Sequence, residues 1–273
     1  MNETFATAPR TTPYPDATRV VVCVAKDYAP GHVIPPAWHP RAQLIYATRG
    51  VMTVNAPQGT WVLPPQRAVW VPAGTPHFTR MAGAASMRTL YIDPAAVPGL
   101  PPGCCVVTVS PLLRELIAEA MHLPAEYDEA GPAGRLVAVL LDQFRALPVA
   151  PLHLPLPADE RLQRIAAALR AEPGDNRTLA AWGRLVGASP RTLARGFLRE
   201  TGLTFRAWRQ QVRLLEALER LAAGEAVTAV ALELGYETPS AFVAMFRRAL
   251  GTSPGRYFAA SGGGVRPERA KGG

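Results

Sequence analysis

The chain has 273 residues, which at roughly 150 per domain predicts about two domains, each long enough to bury its own core. Hydrophobic residues make up 48% and charged residues 18%, which excludes an intrinsically disordered chain and gives no reason to expect a fibrous one. The net charge of +8 is uneven: residues 1–150 carry 11 Lys and Arg against 10 Asp and Glu, whereas residues 151–273 carry 18 against 11.

In chain order, residues 1–18 hold Pro9, Pro13 and Pro15 among Thr and Ala and predict a flexible arm. The N-terminus MNETFATAPR has no apolar signal core. The longest strongly apolar run, Val20 to Ala25, is far short of the ~20 residues of a spanning helix. A cytoplasmic protein with no membrane partner is therefore expected. Residues 19–97 carry the short runs VVVCVA, QLIYATRG, VMTVN, GTWVL, RAVWV and RTLYI between Gly, Pro and Asn turns, which predict an all-β barrel or sandwich.

Within 98–147, two apolar stripes predict a helical hairpin. The first is Leu112, Leu113, Leu116, Ile117 and Ala120; the second is Leu136, Val137, Leu140, Leu141 and Phe144. This hairpin is the expected dimerisation segment, with Leu112, Leu113, Leu116 and Ile117 facing a second copy. Residues 148–158, with four prolines in PVAPLHLPLP from Pro148 to Pro157, predict a semi-rigid linker. Residues 159–258 read as helical throughout, and 259–273 as a flexible tail. The fold class is thus α+β and multidomain. Cys23, Cys104 and Cys105 form neither a CxxC pair nor an even framework and are expected to be buried thiols.

The basic half repeats itself. At an offset of 48, Leu179, Trp182, Gly183, Val186 and Gly187 fall on Val227, Val230, Ala231, Leu234 and Gly235. At 49, Ser189, Pro190, Leu193, Phe197, Arg199, Gly202 and Trp208 fall on Thr238, Pro239, Phe242, Phe246, Arg248, Gly251 and Tyr257. Each copy reads as a helix, a Gly turn, a Ser or Thr N-cap followed by Pro, and a second helix ended by Gly, which is a helix-turn-helix.

Between the copies, Leu203 to Ala222 carries Trp208, Val212, Leu215, Leu218 and Leu221 at helical intervals. A rod of that length spans about 30 Å, close to the ~34 Å between major grooves on one side of a duplex. Double-stranded DNA is the expected partner. Arg191, Thr192 and Arg195 are predicted to face bases from the first recognition helix, and Ser240, Val243 and Ala244 from the second. Arg199, Arg206, Arg209, Arg247, Arg248 and Arg256 are predicted phosphate contacts.

The stretch SPRTLARGFLRETGLTFRAWRQQVRLLEALERLAAG, with ALELGYETPSAFVAMFRRALGTSPGRYF, resembles the DNA-binding domain of the AraC/XylS transcriptional regulators over about 100 residues. By that resemblance, Ser189 to Arg199 and Pro239 to Phe246 fall on the two recognition helices, and Val227, Leu232, Gly235, Phe242 and Phe246 on core positions. Two positions depart from the family pattern. Gly183 stands where Ala is usual and Ala226 where a Ser cap is common, which predicts looser first turns in both scaffold helices.

The β region resembles a cupin with lost metal ligands. The spacing of a cupin's first motif falls here on Gly31, Ala37, His39, Gln43 and Gly50, and that of the second on Pro72, Gly74 and His77, with Gln66 in place of its leading Gly. Two ligands are replaced, and His32 is a weak substitute, so no metal and no other cofactor is expected. The barrel mouth is then an apolar space with His39, Gln43 and His77 as polar groups and Trp61, Trp70 and Tyr91 as aromatic walls, suited to a small-molecule effector. HPRAQLIYATRG and PPQRAVWVPAGTPH resemble the sensor of a cupin-bearing AraC subgroup, some of whose members control drug-transporter genes. The expected function is a homodimeric transcriptional regulator, activator or repressor according to where RNA polymerase, a further partner, stands. It is not expected to be an enzyme; a cupin isomerase or oxygenase would need the ligands missing at 37 and 43.

Overall fold

The computed structural model describes residues 5, 8–11, 18–65, 67–96, 101–144, 149–150 and 152–259. Its N-terminal part is a pair of sheets. The strands are β1 (Val21–Tyr28), β2 (Val33–Ala37), β3 (Ala42–Arg49), β4 (Met52–Ala56), β5 (Gly59–Leu63), β6 (Arg67–Val71), β7 (His77–Met81), β8 (Ala85–Ile92), β9 (Cys105–Thr108), β10 (Val149–Ala150) and β11 (His153–Pro155). One sheet runs β1-β8-β3-β6-β9-β10, the other β11-β5-β4-β7-β2.

Alternation fixes which side chain goes where. In the first sheet, Leu44, Trp70 and Leu90 lie opposite one another across β3, β6 and β8, while Gln43, Val71 and Tyr91 share the other face. The Leu44 face is covered by two helices, α1 (Pro111–Ala120) and α2 (Pro132–Phe144), whose Leu113, Ile117, Val137, Leu140 and Phe144 are buried in the same cluster. Because both faces of β3 are covered, its first six residues are all buried, and all of them but Gln43 are hydrophobic.

The helical hairpin is present, but its apolar stripe is not free. Leu113 and Ile117 are 0% and 1% exposed against the sheet, and Leu116 packs on the same cluster. Of the expected dimer contacts, Leu112 alone stays exposed. The stripe that predicted pairing between subunits pairs the hairpin with its own sheet.

Two other expectations need correction. Residues 8–11 of the expected loose arm are docked: Arg10 bridges to Trp38, and Thr11 N donates to the Trp38 carbonyl at 2.9 Å. Phe5 is buried and stacks on Phe78. The expected linker carries β10 and β11, one closing an edge of each sheet. Proline is tolerated there because an edge strand needs only half of its hydrogen bonds. The tail beyond Ala259 lies outside the described residues.

The C-terminal part is helical: α3 (Glu160–Ala171), α4 (Leu179–Val186), α5 (Pro190–Thr201), α6 (Phe205–Ala222), α7 (Val227–Glu233), α8 (Pro239–Leu250) and α9 (Pro254–Ala259). Its core, with Trp208, Phe197, Phe242 and Phe246 at 0% exposure, is continuous with residues of the second sheet. Trp208 Nε1 donates to the Pro155 carbonyl at 2.8 Å. The Thr53 hydroxyl on β4 donates to Glu219 on α6. Glu200 Oε2 accepts from the Ala158 and Asp159 amides at 2.9 and 3.0 Å, holding the start of α3 against α5. The helical part is therefore seated on the sheet, where only a semi-rigid linker between the two was expected.

Candidate functional site

The repeat in the basic half is reproduced down to single hydrogen bonds. Ala188 N donates to the Gly183 carbonyl at 3.0 Å, and Tyr236 N to the Ala231 carbonyl at 3.1 Å, the same bond at an offset of 48. Gly187 and Gly235 take φ of 70° and 77°, which other residues adopt only under strain. The Ser189 hydroxyl accepts from Thr192 N, the Thr238 hydroxyl accepts from Ala241 N, and proline follows both caps. Both second helices end on a left-handed glycine, Gly202 and Gly251.

The two departures from the family pattern have different outcomes. A Cβ on Gly183 would lie 2.3 Å from the Ala188 carbonyl oxygen, so glycine is required by a close approach of backbone. Ala226 caps α7 with no side-chain hydrogen bond, leaving that first turn without its usual acceptor.

Burial decides what each recognition helix presents. On α5, Leu193, Gly196 and Phe197 are buried, so Arg191, Arg195 and Leu198 point away from the core, with Thr192 and Arg199 on one flank. On α8, Phe242, Met245 and Phe246 are buried, and the outward stripe is Ser240, Ala244 and Arg247, with Arg248 on the flank. Arg191, Thr192, Arg195, Ser240 and Ala244 are all exposed. Val243 is half-buried and packs on the core, so it is a less accessible residue than its spacing predicted. Arg247, expected on the phosphates, occupies the outward stripe.

The remaining arginines differ in freedom. Arg206, Arg248 and Arg256 are exposed. Arg199 pairs with Glu200 at 2.7 Å. Arg209 donates to the Arg177 carbonyl at 3.1 Å and lies over the Phe205 ring. It is partly engaged inside the protein.

The rod between the units is α6, and it starts at Phe205 behind a Thr204 cap, two residues later than the apolar pattern predicted. Its 18 residues span about 27 Å. Arg213, in the middle of it, is the residue sequence reasoning missed. It is 8% exposed, and its guanidinium donates to the carbonyls of Pro173, Gly174 and Asp175 and to Asn176 Oδ1 at 2.9 to 3.4 Å. It also lies over the Tyr236 ring. Asn176 Nδ2 in turn donates to the Gly235 carbonyl at 3.1 Å. One cation thus joins the loop that leads into the first unit to the turn of the second. Its position in a run of apolar helix residues was the available signal, since a buried charge must be paired.

In the sensor half, His39, His77 and Tyr91 come together. The ring centroids are 5.5 Å apart for His39 and His77 and 5.3 Å for His39 and Tyr91. Gln43 is directly opposite Tyr91 across β3 and β8. The His77 Nδ1 bonds the Thr75 carbonyl at 2.9 Å, and His39 Nδ1 the Thr11 carbonyl at 2.9 Å. A carbonyl can only accept, so Nδ1 carries the proton and Nε2 is an acceptor in both rings. Burial pushes the His77 pKa down to about 4 and lowers that of His39, keeping both neutral near pH 7. Gln43 Oε1 is buried with no partner among the described residues.

The two tryptophans differ in place: Trp61 lies opposite Val54 and, beyond it, Thr79, on the face of its sheet that carries His77. Trp70 lies on the opposite face of its sheet, under the helical hairpin, and donates to the Pro101 carbonyl at 3.0 Å. Trp61 stacks on His153 at 4.7 Å. Among the described residues no three His, Cys, Asp or Glu side chains gather as a metal would need. Two imidazoles and an amide do not supply the donor set of a cupin metal centre.

The model of the AraC-like ligand binding domain matches residues 19–144, and that of a helix-turn-helix domain matches 182–260. The HTH-type transcriptional regulator NimR of Escherichia coli K12 is 38% identical over 221 residues, 81% of this chain and 81% of its own. The chain belongs to the AraC/XylS family of transcriptional regulators. It combines that family's ligand-binding domain with its helix-turn-helix DNA-binding domain. The HTH-type transcriptional regulator RipA of Corynebacterium glutamicum is 34% identical to this AraC-family chain over 103 residues, 38% of it and 31% of RipA. Among solved structures, ToxT of Vibrio cholerae, bound to an unsaturated fatty acid, covers 90% of this chain and 98% of its own at 12% identity and a TM-score of 0.38. No helix among the described residues is long and apolar enough to cross a membrane.

Proposed function

We propose that this regulator acts in the cytoplasm as a homodimer, has no enzymatic activity of its own, and reads two successive major grooves with each chain. The observation that carries the reading is the pair of capped helices, α5 and α8, whose outward stripes are exposed and whose scaffolds share one rod and one buried arginine. Arg191, Thr192 and Arg195 read bases at one end, with Arg195 placed for a bidentate contact to guanine. Ser240 and Ala244, with Arg247, meet the second groove, Val243 contributing only an edge. Arg199, Arg206, Arg209, Arg248 and Arg256 contact phosphates and set the register. Dimerisation uses the outer side of the helical hairpin, where Leu112 and Val139 are exposed, and bound chains present surface to RNA polymerase.

The effector belongs to the site formed by His39, Gln43, His77 and Tyr91. Two imidazole acceptors and an unpaired amide oxygen call for a ligand with hydrogen-bond donors. The test is binding to DNA beside the protein's own gene, measured against salt with and without candidate compounds. Log affinity falls by about 0.9 per phosphate contacted for each decade of salt. A flat salt response, or equal affinity for random DNA, contradicts the reading.

A further inference from the structure

The reading helix α5 carries a row of cations. Arg191, Arg195 and Arg199 recur every four residues, a row that slants from the outward stripe to the flank, and all three are exposed. The helix α3 lies close against that flank because residue 196 is glycine: a Cβ there would stand 2.9 Å from Leu162 Cδ1. Leu162 is buried at this crossing, and its neighbour Arg161 is thereby brought beside the row. Between the two helices opens a cavity of about 260 Å³, lined by Asp159 and Arg161 from the start of α3 and by the three arginines of α5. Its apolar floor, Leu162 and Leu193, is already buried.

The carboxylates at this opening are engaged. Asp159 caps α3 by accepting from Arg161 N and Leu162 N, and it also accepts from Arg161 Nε and Nη2 at 3.2 and 2.7 Å. Hydrogen bonding from Arg161 holds the Asp159 carboxyl down to about 2, so it stays charged and keeps its cation. Glu200 accepts from Arg199 Nη2 at 2.7 Å and from the Ala158 and Asp159 amides, which ties Arg199 to the start of α3. Two guanidinium groups are therefore aimed by two different carboxylates. Asp159 takes the Nε and Nη2 edge of Arg161 and leaves the Nη1 side for a second acceptor. The Arg161 side chain is 46% exposed and that of Arg199 73%. Four guanidinium groups against two engaged carboxylates leave the opening cationic.

We propose that Arg161, together with Arg199, binds a phosphodiester of the duplex backbone at the edge of the groove that α5 enters, so that α3 helps to hold DNA although it belongs to neither helix-turn-helix unit. The inference rests on the duplex reading given above. A phosphodiester offers two anionic oxygens, and planar arginine forks meet them with charge-assisted N–H bonds. Both side chains are already oriented by their carboxylates, so less rotamer freedom is lost on binding. The contact carries no base information itself; it sets the register in which Arg191 and Arg195 meet base edges.

The test is a fluorescence-anisotropy titration of the full chain, across salt, on a duplex from beside its own gene and on a random duplex. Arg161→Gln weakens both alike, about threefold to tenfold at low salt, and lowers the slope of log affinity against log salt by about 0.9. Arg164→Gln removes the same charge from an exposed position of α3 outside the cavity and leaves that slope unchanged. Arg161→Lys keeps the charge and its pairing with Asp159, and it retains the slope, which separates a lost phosphate from a lost fold. Phosphate-ethylation interference on the first duplex shows one position that matters to the wild type and no longer to Arg161→Gln. An unchanged slope in Arg161→Gln, an equal loss in Arg164→Gln, or a loss confined to the preferred duplex overturns the proposal. A wild-type chain that binds DNA without salt dependence overturns the duplex reading and this contact with it, whereas a salt-dependent wild type with a silent Arg161→Gln overturns this contact alone.

Discussion

The two helix-turn-helix units share a scaffold and differ in what they show to solvent. The buried pairs Trp182 and Val230, Gly183 and Ala231, and Phe197 and Phe246 occupy equivalent places, and the turn bond is the same in both. The outward stripes are Arg191, Arg195 and Leu198 in one and Ser240, Ala244 and Arg247 in the other. Where backbone geometry and packing act, the copies stay alike. Where only a partner acts, they diverge, and the long cationic donors are concentrated at the start of one helix and the end of the other.

That contrast can be broken in order of effect. Arg213→Met removes the bracket common to both units and leaves three carbonyls without a donor, which costs about 2 to 4 kcal/mol, read as a lower urea midpoint. Arg213→Lys recovers little, since one ammonium cannot span the same acceptors. An unchanged midpoint would mean that the units stand independently. Next, Arg195→Ala costs about 1 to 3 kcal/mol on the preferred site and relaxes base choice there, whereas Arg248→Ala weakens all sequences alike. Competition titrations with specific and random duplexes separate the two, and equal losses on random DNA refute the division of labour.

The scaffold makes smaller, asymmetric predictions. Gly183→Ala drives a methyl to 2.3 Å from the Ala188 carbonyl and destabilises by about 1 to 3 kcal/mol, although Ala231 carries a methyl at the equivalent place in the second unit. A neutral or stabilising result in thermal melting shows that the first turn can relax to the geometry of the second. Ala226→Ser supplies the missing acceptor on α7 and adds about 1 kcal/mol, while Thr178→Ala on α4 loses a similar amount. Absence of either shift places the cap amides in contact with water.

The double unit was legible because caps, glycines and apolar spacing are local and repeat. The β half was legible only in part. Six strands stand out as apolar runs, but β2 contains Pro35 and Pro36, and β7 exposes Arg80 between buried Thr79 and Met81, so neither reads as a core strand. The strands β10 and β11 form from a proline-rich stretch because sheet edges accept it, which no local pattern records. The helical hairpin was found, yet its partner was mistaken: an amphipathic stripe states that something covers it, not what. Motif spacing picks out His39 and His77, and of the aromatic residues named with them Tyr91 joins the pair whereas Trp70 does not, because one step of alternation sends a side chain to the other face. Arg213 and the seating of α6 on the sheet depend on contacts far apart in sequence, and residue order carries no mark of them.

Hydroxyl-radical footprinting of the full chain on DNA beside its own gene tests the central claim most directly. Each chain is expected to protect two patches one helical turn apart, about 10 base pairs centre to centre, and Arg195→Ala to weaken the patch under the first unit before the second. A single protected patch per chain, or two that fade together in that variant, contradicts the picture of one rod carrying two distinct readers.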